Sequence, residues 1–159
     1  MDNHELLKVV NNLIDTLTTL SLCHFGDNKI NKLVHTTEKI LHLIFKVFFN
    51  KIKINESDQI SINKLLDDNI DKIEFTINRH IDSFPVSTYY GSCIIRSALQ
   101  FLIDEKCFND IISKTEIDIV EFDDKFAKFI YGFENPIIEL KYYNISLDNI
   151  PSHHLWFYY

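Results

Sequence analysis

Apolar residues recur along this chain at helical spacing, in stretches long enough to define whole helices. Leu6, Val10, Leu13, Leu17 and Leu20 step by three and four, which puts one buried stripe on a first helix. Gly26 is expected to stop it, with Asp27 and Asn28 forming the turn. Leu33, Ile40, Leu41, Ile44, Phe45 and Phe48 cover a wide arc of a second helix, which predicts a central position. Asn55 to Gln59 is polar and reads as a short connection. Ile62, Leu66, Ile70, Ile73, Ile77 and Ile81 then predict one continuous third helix, with Asp67, Asp68 and Asp71 towards solvent.

Asp82 to Thr88 interrupts the pattern, because Pro85 disfavours a helical residue before it and Ser87 or Thr88 can cap a new helix. A fourth helix runs from Tyr89 to about Glu105 with Ile94, Ile95, Ala98, Leu99 and Leu102 on its apolar face. Thr115, three residues before Asp118, approximates a capping arrangement for a fifth helix bearing Ile119, Phe122, Phe126, Phe129 and Phe133. After Pro136 the period changes to two, with Ile138, Leu140 and Tyr142 alternating with Glu139 and Lys141, as in a strand or extended segment. The apolar close, Leu155 to Tyr159, is expected to dock on the bundle or on a partner. The fold class predicted is mostly α: a single-domain bundle of about five helices over residues 1–159, with a short extended or β element at the C-terminus.

Length supports that picture. A chain of 159 residues can bury about 68–70% of its unfolded surface, enough for a substantial core. Charge narrows the function classes: 16 Lys+Arg against 23 Asp+Glu give a net charge of -7. Nucleic-acid affinity comes largely from Lys and Arg displacing counterions, so the balance argues against a nucleic-acid partner and for a basic protein. Ile40 to Phe49, the most apolar stretch, carries His42 and Lys46 and falls short of the ~20 residues a membrane span needs. Cys23, Cys93 and Cys107 are too few for a disulfide framework, and Met1 to Glu5 is no charged-then-apolar leader. A reduced, cytoplasmic protein with no membrane partner is the expectation.

Catalytic signals are sparse. Three glycines leave no phosphate-cradling loop, and no Gly-x-Ser-x-Gly elbow occurs. His35, Glu38 and His42 at i, i+3 and i+7 share a helical face, but zinc-protease histidines lie four apart, not seven. His153 and His154, on an extended segment, would point to opposite sides and seldom share a metal. Arg79 and His80 diverge by about 100 degrees on a helix and read as a solvated helix end. Cys93, beside the apolar stripe of the fourth helix, reads as a buried, inert thiol. The expectation is a non-enzyme without cofactor or metal.

The acidic clusters are the binding candidates: Asp67, Asp68 and Asp71, then Glu116, Asp118, Glu121, Asp123 and Asp124. Tyr89, Tyr90, Tyr142 and Tyr143 are candidate anchors beside them, since aromatic side chains supply interface energy while acidic rims steer a basic partner.

In whole-chain character (short, acidic, rich in Phe and Ile, with an AT-biased residue choice and no catalytic motif) the sequence resembles immunity proteins of bacterial toxin systems of the contact-dependent growth inhibition type. That resemblance implies a cytosolic protein that binds a cognate toxin, often a basic nuclease, and occludes its active site. A second resemblance is to virus-encoded apoptosis regulators of the B-cell-lymphoma-two type. Leu22-x-x-x-Gly26-Asp27 is similar to the core of that family's pro-death helix, and Tyr90-Gly91-Ser92 stands where the family has Trp-Gly-Arg, with serine in place of the arginine. It implies an apolar groove for a short amphipathic helix.

Overall fold

The computed structural model describes residues 3–82, 89–130, 148, 150–154 and 156. Seven helices occur among them: α1 (Asn3–Ser21), α2 (Ile30–Phe49), α3 (Glu56–Asp68), α4 (Ile70–Asp82), α5 (Tyr89–Asp104), α6 (Lys106–Ile112) and α7 (Ile119–Ile130). The chain is therefore mostly helical, as its periodicity predicts. No strand occurs among the described residues, and the segment expected to be extended after Pro136 lies outside them.

The wide apolar arc of α2 does place it centrally, against α1, α4 and α5. α3 packs on α1 and α6, and α7 on α4. Leu13, Leu17 and Leu20 of α1 meet Leu33, Ile40, Leu41 and Ile44 of α2 in a core where each is almost wholly buried. Burying one such side chain contributes about 1.5–3 kcal/mol. Threonine enters this interior at little cost, because Thr16, Thr36 and Thr37 each donate to the carbonyl four residues back.

Three boundaries differ from the sequence expectation, each for a reason visible in the contacts, and α6 is a short helix that the periodicity does not predict. The polar run from Asn55 to Gln59 is the first turn of α3, not a connection: Asn55 is the N-cap, its Oδ1 accepting from the Asp58 N–H at 2.8 Å. The expected third helix is two helices, broken at Asn69. That residue is buried, and its Nδ2 donates to Ser21 Oγ at the end of α1 and to Leu65 O. Gly26 does not end α1, which stops at Ser21, and its φ is not positive. Its carbonyl instead accepts from Lys29 and Ile30 as α2 begins.

Two further ends are closed by lysines. Lys72 Nζ donates to Leu20 O at 2.9 Å, satisfying a terminal carbonyl of α1. After α2, Lys51 takes a left-handed φ of 52°. Ile52 N–H then reaches Val47 O, and Lys51 N–H reaches Phe48 O, a Schellman closure built on a non-glycine residue.

Candidate functional site

The two acidic clusters, more than forty residues apart in sequence, meet across α4. Lys114 Nζ, in the α6–α7 connection, pairs with Asp67 Oδ1 at 2.6 Å, and the Glu116 N–H donates to Glu74 Oε1 at 3.2 Å. Lys125 Nζ bridges Glu121 at 2.9 Å and Asp82 at 3.6 Å, joining α7 to the end of α4. Asp68, Asp71, Glu116, Asp118, Glu121 and Asp124 are exposed along this edge. Asp118 also caps α7, its Oδ1 accepting from the Glu121 N–H, whereas the Thr115 hydroxyl donates back to Ile112 O. Glu74 belongs to the edge and escaped the sequence reading, although it follows Asp71 by three on the same helix.

Asp123 does not join the edge as a rim acid. It accepts two bonds from Arg96 of α5, from Nε at 2.6 Å and Nη2 at 2.9 Å. Tyr89 and Tyr90 fall in the first turn of α5 with side chains outside the described set, and Tyr142 and Tyr143 lie outside it altogether. Apolar groups are present near the acids: Val120 is 71% exposed between Asp118 and Glu121. Phe25, half exposed, meets Phe75 of α4 edge to face at 5.4 Å.

A cavity of about 730 Å³ is lined by residues of α2, α4 and α5, with Asn12 of α1. His35, Glu38, Lys39, His42 and Lys46 line it from α2, and His80 from α4. Burial pushes His42 down, helped by the charge of Lys46, and pushes Glu38 up against the pull of His35. His80 is not the solvated helix end that its sequence suggested. It is buried, 3.3 Å from Ser92 Oγ, and desolvation lowers its pKa to about 4.

A third polar cluster anchors the end of the chain on α5. Cys93 is fully buried, its Sγ 3.5 Å from Trp156 O. Trp156 is also buried, so this part of the apolar close docks on the bundle as expected. Its Nε1 donates to Ser97 Oγ at 2.8 Å, and the Arg96 guanidinium lies 4.2 Å from its ring. His153 and His154 are not on opposite sides of an extended segment. A turn closed by the His154 N–H on Pro151 O brings their rings to 4.7 Å, nearly perpendicular. Asp104, ending α5, accepts from His153 Nε2 at 2.6 Å and Gln100 Nε2 at 2.8 Å. Burial raises its pKa, but these hydrogen bonds outweigh that and hold the carboxyl low.

No helix among the described residues is long and apolar enough to cross a membrane. Set against protein-family models, curated proteins and solved structures, the chain matches none.

Proposed function

We propose that this chain is a non-enzymatic binding module that recruits a basic protein domain through the acidic edge formed by α4, the α6–α7 connection and α7. Its specific form is an immunity protein that works in the cytoplasm, seating on a toxin domain and excluding the toxin's substrate. One observation carries this proposal: the two acidic clusters converge, through Lys114–Asp67 and Glu116–Glu74, with exposed Val120 on α7 available to be buried. Clustered acids of one sign accelerate encounter with a basic surface, and apolar groups within the patch supply the energy that holds it.

The test uses the product of the adjacent gene. Co-expression is expected to give a stable complex and to rescue growth. Charge reversal of Asp68, Asp71, Glu116 and Asp124 to Lys is expected to slow association at least roughly tenfold and to flatten its dependence on salt. A complex whose association rate ignores that quadruple reversal refutes the acidic edge. Absence of any complex, with tight binding to a pro-death helical peptide instead, refutes toxin neutralisation.

A further inference from the structure

Asp104, His153 and His154 come from opposite ends of a 49-residue interval, yet one ligating atom of each lies within 4.8 Å of the other two. His154 is wholly buried, and its two ring nitrogens differ. Nδ1 is 3.0 Å from Ser97 Oγ, while Nε2 has no hydrogen-bond partner among the described residues. A buried ring nitrogen left unpartnered keeps the full cost of its desolvation, so such an atom marks a position that something else completes. On the outer side, His153 and Asp104 are open to solvent, with side chains 53% and 37% exposed. The cluster is therefore walled inside and reachable from outside.

We infer that Asp104, His153 and His154 bind one divalent transition-metal ion of the zinc class. The ligands are one Asp104 carboxylate oxygen, His153 Nε2 and His154 Nε2, with water in the fourth position. Two imidazoles with one carboxylate suit zinc or its neighbours, whereas calcium and magnesium favour oxygen alone. The outer contacts are those a ligand set needs. Gln100 orients Asp104 through Oδ1, and Ser97, itself fixed by Trp156 Nε1, holds His154 through Nδ1. Arg96, whose charge reaches His154, is offset by its two bonds to Asp123.

Tetrahedral coordination at ~2.0–2.1 Å places ligand atoms about 3.3 Å apart. His153 Nε2 and Asp104 Oδ2, at 2.6 Å, would separate slightly as the ion replaced their hydrogen bond. The remaining separations, 4.8 Å at most, would close by rotation of the two exposed side chains. The bound ion ties the C-terminal turn to the end of α5, at a place separate from the acidic edge, so the two proposals stand or fall independently.

The experiment titrates the metal-free full chain with Co2+ and then Zn2+. One Co2+ per chain is expected, with visible absorption of tetrahedral intensity that Zn2+ displaces. Asp104→Asn and His153→Gln, both at exposed side chains, are expected to weaken binding by roughly tenfold or more, with unchanged helical circular dichroism. His4→Gln and His24→Gln, at exposed histidines elsewhere, are expected to leave it unchanged. No saturable binding, or binding that survives Asp104→Asn and His153→Gln undiminished, overturns the site. So does binding that falls equally with His24→Gln.

Discussion

Replacing Asp123 with alanine is expected to destabilise the fold more than replacing Arg96 with methionine, although Arg96 makes the greater number of contacts. The Arg96 side chain is 4% exposed, and its guanidinium donates to two carboxylate oxygens at 2.6 and 2.9 Å and to Gln100 at 3.0 Å and lies over Trp156. Removing one partner of a buried ion pair strands the other, at about 3–5 kcal/mol. Asp123 is 44% exposed, so water partly replaces it, and the expected loss for Asp123→Ala falls to about 2–3 kcal/mol. Arg96→Met removes the buried charge itself and keeps an apolar stem against the Trp156 ring, with an expected loss of about 1 kcal/mol. With an unfolding entropy near 2.1 cal/mol/K per residue, these losses lower Tm by about 6–9 °C and about 3 °C. The double variant is expected to match Arg96→Met within about 0.5 kcal/mol, since nothing is then stranded. Urea and thermal unfolding followed by circular dichroism give all three values. An Arg96→Met loss equal to or above that of Asp123→Ala refutes the stranded-charge reasoning.

Acid sensitivity is expected from His80, whose folded pKa of about 4 lies below the ordinary 6.5. The unfolded chain takes up the proton first, so His80's contribution is complete above about pH 6.5 and is lost as pH falls towards 4, by up to about 3 kcal/mol. His154, also lowered to about 4 by burial, adds to the same slope. His80→Gln is expected to flatten the pH dependence of urea unfolding in that window, and an unchanged slope counts against a buried neutral His80. At the end of α2, Lys51→Gly is expected to raise stability by about 0.5–1 kcal/mol, because glycine takes a φ of 52° without strain. A loss in thermal unfolding would show that the Lys51 side chain contributes more than the strain costs.

What was legible along the chain was local. Steps of three and four identify the buried stripes of α1, α2, α5 and α7 because each stripe is set by its own helix, whatever it packs against. The start of α3 was equally open to reading: Asn55 followed by Glu56 and Asp58 is a cap with acids in the first turn, which needs no apolar residue there. The break at Asn69 was not. Leu66, Ile70 and Ile73 keep helical spacing through it, and the contacts that favour the break are tertiary: Asn69 bonds Ser21 while Lys72 reaches Leu20 O. Neither contact exists until α1 lies alongside.

The same distinction explains which parts of the candidate sites escaped. Periodicity says which face a residue occupies, not what arrives opposite it. Asp67 meets Lys114, Arg96 meets Asp123, and Asp104 meets His153 across sequence gaps of 47, 27 and 49 residues. One signal was nevertheless available. Arg96, Gln100 and Asp104 recur at steps of four on α5, a helix whose flanking residues from Ser92 to Ala98 are buried. A polar seam on such a helix would leave its charges unsatisfied unless partners came from elsewhere in the chain. The seam therefore implies docking along its length, and the partners observed are Asp123 at one end and His153 at the other. Ser97, one residue off the seam, meets Trp156 and His154 from the same incoming segment. Polar steps of four within an apolar helix thus mark where distant parts of this chain converge, and the buried, half-satisfied His154 sits where they do.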